Sequence, residues 1–350
     1  MQRKFVFFYA LFSLIFILSI IFLGLNMDKT DDKDEQKKEE EMNQITKYLK
    51  ENNVKEEINL KITSTGEVKK IKVSDYLKGV LPSEMPPGYD IEALKAQAVV
   101  ARTYLYDKIK NHSHKDADIC DSPSHCQAYY DIETIKYIWK EKRGFDEKTR
   151  KKYLKKVNDA VDSTENIVVT YNEKYIKAYF HACSGGKTEN VHNIWGKQEI
   201  KYLKSVESLG EESYKNYTSK KTLTVAELQA KLNEDESVLC TINEKEEIIK
   251  ILSYTDTGRV DKVKIGNVIY TAERLRQVLG LKSTNFKVEC NENKVTFYVT
   301  GYGHGVGMSQ VGANYYAKQG YTFDKIIRHY YTGVDVTYLY KEDNTNENKI

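Results

Sequence analysis

Glu84 is the residue of this sequence best suited to acid–base chemistry. It stands in the segment Leu81-Pro82-Ser83-Glu84-Met85-Pro86-Pro87-Gly88, which holds three of the chain's four prolines. Because proline fixes φ and does not continue a helix, the pattern predicts a short helix from Ser74 towards Leu81, then a rigid, irregular backbone around the acid. A rigidly held carboxyl group suits positioned proton transfer. The alternative is that Glu84 only caps or decorates a turn.

A polar loop at residues 111–128 holds a second group of reactive side chains. The candidate metal ligands in it are His114, Cys120, His125 and Cys126. Zn²⁺ accepts two thiolates and two imidazoles tetrahedrally, and four protein ligands leave no position for water, so the loop predicts a structural zinc ion. The alternative is a Cys120–Cys126 disulfide, which an exported location would allow. The five cysteines of the chain are an odd number, which argues against a complete disulfide framework.

Alternating glycines at 301, 303, 305 and 307 form a third candidate. They match neither a dinucleotide fingerprint nor a phosphate-binding P-loop. Glycines let backbone amides approach a ligand closely, and the side chains among them offer the hydroxyl, amide and aromatic groups with which proteins bind sugars. The predicted substrate-binding residues of this rim are Tyr302, His304, Ser309 and Gln310. The alternative is a tight structural turn in which His304 bonds to the backbone.

The segment Phe180-His181-Ala182-Cys183-Ser184-Gly185-Gly186-Lys187-Thr188 follows a predicted strand. His181 and Cys183 are two residues apart and would face the same way on a strand. A nucleophilic thiol also needs a group that orients its base, and the sequence shows none. A cysteine nucleophile is therefore the less favoured interpretation.

The elements that must position these residues indicate an α+β protein with a mixed core domain, an inserted smaller α+β lobe and a substrate groove. Asp90 can cap a long helix whose apolar positions step by three or four residues. We expect a first, catalytic core part at 53–204, the accessory lobe at 205–292 and a second core part at 293–340. A polar, disordered tail would follow at 341–350.

The N-terminus predicts a single-pass membrane anchor. Residues 5–25 are apolar over a length that crosses a bilayer, and the basic residues at 3 and 4 would keep 1–4 in the cytoplasm. A cleaved signal peptide is the alternative, although the run is long and ends in a poor cleavage site. Residues 26–52 are rich in charged side chains and are predicted to form a tether. The formal net charge of +3 gives no sign of a nucleic-acid partner.

Three segments together resemble one family. They are Val80-Leu81-Pro82-Ser83-Glu84-Met85-Pro86, Ala93-Leu94-Lys95-Ala96-Gln97-Ala98-Val99-Val100-Ala101-Arg102-Thr103-Tyr104 and Gly303-His304-Gly305-Val306-Gly307-Met308-Ser309-Gln310. In this order they are similar to stage II sporulation protein D and its amidase-enhancer relatives, over roughly residues 55 to 340. Cys183 departs from the serine usual in these relatives, and the His/Cys loop is not part of the matched pattern.

The resemblance implies a peptidoglycan lytic transglycosylase that acts in forespore engulfment on glycan strands stripped of stem peptides. Glu84 falls on the family's catalytic acid. The implied partners are a sporulation amidase or endopeptidase and an engulfment membrane protein, and the implied location is the membrane, with the domain outside the cytoplasm on the mother-cell side of the septum. We expect Arg102 to hold a substrate carboxylate or acetamido group, with an internal salt bridge as the alternative.

One carboxyl group suffices for this reaction. Neutral Glu84 would protonate the oxygen between N-acetylmuramic acid and N-acetylglucosamine, and then take the proton of the muramic acid C6 hydroxyl as the 1,6-anhydro ring closes. Other glycosidases need a second carboxylate. Two other functions stay open from the sequence: a zinc-dependent hydrolase of cell-wall peptides or amides, and a non-catalytic glycan-binding activator of an amidase.

Overall fold

The computed structural model describes residues 55–196, 199–234, 239–243, 247–291 and 293–339. The predicted cytoplasmic end (1–4), membrane helix (5–25), tether (26–52) and tail (341–350) lie outside the described residues. Among the helices that are described, none combines the length and the apolar character of a membrane span. Lys55–Leu339 form one compact unit of mixed α and β structure, in agreement with the predicted α+β class.

Two helices in the first half of the unit position the predicted acid. The helices are α1 (Val73–Glu84) and α2 (Ile91–Lys110). Asp90 caps α2 as predicted, because its side chain accepts a hydrogen bond from the amide of Glu92. Most residues of α2 between 93 and 109 are buried, so this helix runs through the core with α1 packed against it.

The end of α1 differs from the prediction. The helix continues through Pro82 to Glu84, so the acid is a helical residue and does not lie on an irregular segment. Pro82 lacks the amide that would bond within the helix, but the hydroxyl of Ser83 donates to the carbonyl of Gly79 at 2.7 Å. The amide of Met85 then donates to the carbonyl of Leu81 at 2.9 Å. These bonds complete the last turn despite the proline.

Fourteen strands form five small sheets within the described residues. In order of pairing they are β2 (Val68–Lys72), β1 (Glu57–Lys61) and β3 (Ile119–Cys120); β14 (Asp335–Tyr338), β4 (Ile167–Tyr171) and β5 (Lys174–Tyr175); β13 (Met308–Ser309) and β6 (Phe180–His181); β11 (Phe286–Asn291), β12 (Lys294–Thr300) and β7 (Thr218–Thr224); and β10 (Val268–Thr271), β9 (Val260–Ile265) and β8 (Ile249–Tyr254). Strands β1 and β2 form an antiparallel hairpin that turns around Thr65 and Gly66.

Seven further helices are described. They are α3 (Ile132–Tyr137, continued by a π-helical turn at Ile138–Lys142), α4 (Glu147–Asp162), α5 (Val191–Trp195), α6 (Val225–Leu232), α7 (Ala272–Leu279), α8 (Gln310–Lys318) and α9 (Phe323–Tyr330). A capping box opens α6, where the side chains of Thr224 and Glu227 accept hydrogen bonds from each other's backbone amides. Helices α8 and α9 both pack against α2.

A separate hydrophobic cluster holds the second half of the chain together. It is formed by buried residues from Leu223 to Val299, on strands β7 to β12 and helices α6 and α7. Strand β12 pairs with both β7 and β11, so it packs within this cluster. The division at 205 and 292 stays a prediction, and β12 lies just beyond its second boundary.

Candidate functional site

Glu84 is the last residue of α1 and is partly buried. Its Oε1 accepts a hydrogen bond from the backbone amide of Ala128 at 2.6 Å. Burial raises the pKa of Glu84, and the Ala128 amide opposes part of that rise because it stabilises the charged form. Oε2 has no hydrogen-bond partner among the residues that the structure describes. One carboxyl oxygen is therefore held, and the other is open in the sense that no described residue bonds to it; burial favours the protonated state that an acid needs.

Residues 126–130 lie against α1 and bring that amide into place. The hydroxyl of Tyr76 donates to Oε1 of Gln127 at 3.2 Å, and both residues are buried. The ring of Tyr76 also stacks on that of Tyr129, with centroids 5.6 Å apart and an interplanar angle of 14°. This contact could not be predicted from the sequence, because a backbone amide carries no residue-type signal.

The four predicted metal ligands come together in space. One ligand atom from each of His114, Cys120, His125 and Cys126 lies within 4.8 Å of all the others. Nε2 of His114 and Nδ1 of His125 are each 3.2 Å from Sγ of Cys126. With Zn–S bonds of about 2.3 Å and Zn–N bonds of about 2.0 Å, neighbouring ligands of a tetrahedral zinc lie roughly 3.3–3.8 Å apart. The cluster therefore fits a metal ion, and Cys120 and Cys126 are not joined by a disulfide.

The backbone holds this cluster in position from two sides. Strand β3 pairs in parallel with β1 and buries Cys120. The carbonyl of Ser122 accepts the amides of His125 at 3.2 Å and Cys126 at 2.7 Å, which closes a tight turn. Burial raises the pKa of Cys126 to about 12. A bound cation would therefore displace the thiol proton.

Tyr104 contacts the loop that carries the metal cluster. Its hydroxyl donates to the carbonyl of His125 at 3.3 Å. Burial raises the pKa of Tyr104, and the charge of Cys126 adds to the rise.

Tyr179, Trp195 and His304 form what we call the aromatic cluster. The centroid of the Trp195 ring lies 4.8 Å from that of Tyr179 and 5.3 Å from that of His304. Trp195 is 39% exposed, so its ring is open to a ligand. Burial lowers the pKa of His304 to about 3, which keeps its imidazole neutral, and its Nδ1 accepts the amide of Val306 at 3.0 Å. Sequence reasoning identified His304 but missed Tyr179 and Trp195.

The glycine run serves close packing of the chain. All four glycines have positive φ, between 74° and 113°. A Cβ at Gly303 would lie 2.7 Å from Cβ of His181, and one at Gly301 would lie 2.9 Å from the carbonyl oxygen of Cys183. Side chains there would separate the run from residues 179–187, which corrects the prediction that the glycines serve ligand approach. Tyr302 is partly exposed, and Nζ of Lys282 lies 4.3 Å from its ring centroid.

Ser309 and Gln310 lie in the interior, which corrects their predicted role at a sugar-binding rim. Ser309 is fully buried; its hydroxyl donates to Glu211 and accepts the amide of Gly312 at 3.2 Å as the cap of α8. Gln310 is 6% exposed, and its Nε2 donates to Oε1 of Gln97 at 3.4 Å. Neither side chain is accessible to a ligand.

Arg102 is likewise a core residue. It is 3% exposed, and its guanidinium donates to three backbone carbonyls, which belong to Val161, Thr164 and Ile167 at 3.4, 2.7 and 3.1 Å. It joins the end of α4 to the start of β4. Burial lowers its pKa to about 10. Both the predicted substrate contact and the alternative salt bridge are corrected, since the partners are carbonyl oxygens.

Cys183 has the properties of a structural thiol. Burial raises its pKa to about 12, and the neighbouring Glu211 adds to the rise. Its Sγ donates to Oε2 of Glu211 at 3.4 Å, while Nε2 of His181 lies 2.8 Å from the hydroxyl of Ser184. Oε2 of Glu211 also accepts the amides of Gly185 and Gly186 at 2.6 and 3.1 Å. The carboxylate, which the sequence did not single out, holds this turn together.

Comparison with known proteins gives consistent matches. The family model described as stage II sporulation protein matches residues 61–171, and a domain of unknown function matches 133–307. The chain is 36% identical over 278 residues to stage II sporulation protein D of Bacillus subtilis (strain 168), covering 79% of this chain and 77% of that protein. It is 35% identical over 278 residues to stage II sporulation protein D of Bacillus amyloliquefaciens, again covering 79% of this chain and 77% of that protein.

A more distant relative bears another name. The amidase enhancer of Bacillus subtilis (strain 168) is 27% identical over 314 residues, covering 75% of this chain and 40% of that protein. The first family match, at residues 61–171, includes Glu84, the helix cap at Asp90 and the His/Cys cluster from 114 to 126. Together with the 36% identity over most of both chains, these matches show that the chain belongs to the stage II sporulation protein D family.

Proposed function

We propose that this sporulation protein is a lytic transglycosylase that cleaves the bond between N-acetylmuramic acid and N-acetylglucosamine in peptide-free peptidoglycan strands. The observation that carries the proposal is the carboxyl group of Glu84, which is partly buried, held at Oε1 and open at Oε2. Burial raises its pKa, which favours the protonated form that donates the proton. Membership of a sporulation family supports the cell-wall setting.

The reaction follows from this geometry without a second acid. Oε2 of Glu84 donates its proton to the glycosidic oxygen as the bond from C1 of N-acetylmuramic acid breaks. The C6 hydroxyl of the same sugar attacks C1, and the carboxylate takes the hydroxyl proton as the 1,6-anhydro ring closes. Glu84 is thus neutral again at the end. Throughout, the amide of Ala128 stabilises the carboxylate formed between the two proton transfers.

The aromatic cluster supports the binding of sugar rings. Stacking of a sugar on an exposed aromatic face buries apolar C–H surface, and Trp195 offers such a face. Tyr302 and His304 stay proposed substrate contacts, and the substrate groove that would hold the glycan stays a prediction. Tyr104 lies beside the metal cluster, because its hydroxyl donates to the carbonyl of His125.

The His/Cys cluster supports a structural zinc ion. Bound zinc would cross-link the loop at 114–126, and the donors are the thiolate and imidazole groups that it prefers. Cys126 stands two residues before Ala128, so a fastened loop keeps the amide of Ala128 against Glu84. Four protein ligands disfavour the alternative of a zinc-dependent hydrolase, because that chemistry needs an open position.

We further propose that the protein is anchored in the cell membrane by residues 5–25, with the globular unit on the mother-cell side of the engulfing septum. A sporulation amidase or endopeptidase that strips the strands, and an engulfment membrane protein, are the proposed partners. Similarity to an amidase enhancer favours a second candidate function, in which the protein binds glycan and stimulates an amidase without cleaving.

Product analysis separates these functions. The full chain is incubated with peptide-free glycan strands and the products are weighed by mass spectrometry. Transglycosylation gives 1,6-anhydro-muramic acid ends, which are lighter by one water than hydrolytic ends. The absence of new chain ends, together with stimulation of an added amidase, would support the second function and overturn the first.

A further inference from the structure

Gly79 stands in the middle of α1, where glycine is an unfavourable residue. Glycine loses more backbone entropy in a helix than alanine does, and it contributes no side chain to packing. The helix continues for five residues beyond it, so no turn requires its freedom. Gly79 is also buried. Its presence needs another cause.

The cause is the close approach of residues 126–130. A Cβ at Gly79 would overlap the ring of Tyr129 and lie 2.6 Å from the carbonyl oxygen of Tyr130. An overlap with a backbone oxygen is not relieved by rotating a side chain. Any residue larger than glycine therefore pushes this segment away from α1.

The segment contacts α1 at three successive residues. Gln127 accepts from the hydroxyl of Tyr76, the amide of Ala128 donates to the carboxyl group of Glu84, and the ring of Tyr129 covers Gly79. The first contact is buried and the third covers a buried glycine, and the two lie on both sides of the second in the sequence. Displacement at Gly79 thus moves the amide that lies on the acid.

We propose that Gly79 is a positioning residue, whose missing side chain lets residues 126–130 lie on α1 and fixes the amide of Ala128 on Oε1 of Glu84. This inference deepens the proposed function and rests on it for its catalytic meaning. A neutral carboxyl group accepts hydrogen bonds at its carbonyl oxygen and donates from the other. An amide fixed on Oε1 therefore keeps the transferable proton on Oε2, the oxygen that is open.

The test uses full-length Gly79→Ala and two measurements that do not depend on cleavage. Amide hydrogen exchange at Ala128 should accelerate by about tenfold or more, because its hydrogen bond is lost or lengthened. The ¹³C titration of the Glu84 carboxyl group, assigned with Glu84→Gln, should shift to higher pH, because the amide that stabilises the charged form is withdrawn. Cleavage should fall in kcat more than in KM.

Gly312→Ala is the matched control. Gly312 also lies within a helix, and a Cβ there would overlap the hydroxyls of Tyr330 and Ser208, far from Glu84 in sequence and in a different set of contacts. This variant suffers comparable crowding and should leave both the Ala128 exchange and the Glu84 titration unchanged.

A folded Gly79→Ala variant with wild-type exchange at Ala128 and a wild-type Glu84 titration would overturn the inference, whatever its activity. If Gly79→Ala does not fold, Tyr129→Ala removes the covering ring without adding bulk and should change both measurements in the same direction; no change there would also overturn it. If instead the proposed function is wrong, the wild type will not cleave glycan. The Ala128 exchange and the Glu84 titration will then still differ between wild type and Gly79→Ala as predicted.

Discussion

The backbone amide of Ala128 donates to Oε1 of Glu84 at 2.6 Å, although 44 residues separate them in the sequence. Two residues before Ala128 stands Cys126, one of four side chains that converge as a metal site. The bond therefore couples the predicted acid to a loop that a metal ion would fasten. The loop and the carboxyl group of Glu84 therefore belong to one structural unit, in which the order of the loop affects the protonation of Glu84.

The raised pKa of Glu84 gives a signed prediction for stability against pH. The folded protein holds this proton to higher pH than the unfolded chain, whose glutamates titrate near about 4.3. The stabilisation is complete below that value and is lost as pH rises through the folded pKa. Because Glu84→Gln does not titrate there, the free energy of unfolding of the wild type should fall relative to the variant with rising pH. Urea unfolding measures it, and a wild-type free energy that stays constant or rises relative to that of the variant would contradict the shift.

Arg102 should matter for stability and not for substrate recognition. Arg102→Met keeps most of the apolar stem but removes the guanidinium that donates to three carbonyls, which costs about 1–3 kcal/mol in the free energy of unfolding. The carbonyls of Val161 and Thr164 keep a second donor, the hydroxyl of Thr164 and the amide of Ile167 respectively. The control Arg328→Met removes only a surface pair with Asp324 and costs less than about 1 kcal/mol. Undiminished stability of Arg102→Met combined with weaker glycan binding would restore the substrate role.

The metal cluster predicts about one zinc per full-length chain purified under reducing conditions. Cys126→Ser and His114→Ala should each lower the zinc content and the melting temperature, and Cys126→Ser should also slow cleavage although Glu84 is unchanged. Cys290→Ser, at an exposed cysteine outside the cluster, is the control and should change neither. A protein without zinc that carries a Cys120–Cys126 bridge would contradict the prediction.

Trp195 should contribute to glycan binding through its exposed ring. Trp195→Ala should weaken binding of peptide-free strands roughly three- to tenfold, which corresponds to about 0.6–1.4 kcal/mol. Tyr137→Ala serves as control, because Tyr137 is another exposed aromatic residue and lies outside the aromatic cluster. Calorimetry with Glu84→Gln as the common background avoids cleavage during the titration, and equal affinity of the two variants would remove Trp195 from the binding surface.

The parts of the site that depend on local residue types were predictable from the sequence. Thiols and imidazoles close together in a loop indicated the metal cluster, and Asp90 before an apolar stripe indicated α2. Pro82 was misleading because α1 continues through it to Glu84, and the amide of Met85 still bonds to the carbonyl of Leu81, which a proline rule does not include.

The errors concern burial, which arises from contacts distant in sequence. Arg102 and Ser309 look like ligand-binding residues by type, but their partners are a helix end 59–65 residues away and a carboxylate 98 residues away. The glycine run was assigned to ligand approach because only the folded structure places His181 and Cys183 against it. Trp195 was not predicted to bind substrate, because a single tryptophan does not form a sequence motif.

The most direct test of the account compares wild type and Glu84→Gln, both full length, on peptide-free glycan. Binding should be retained, and formation of 1,6-anhydro ends should fall by roughly a hundred- to ten-thousandfold, the usual contribution of a general acid. A Gln variant that releases anhydro products at the wild-type rate would contradict the central role of Glu84.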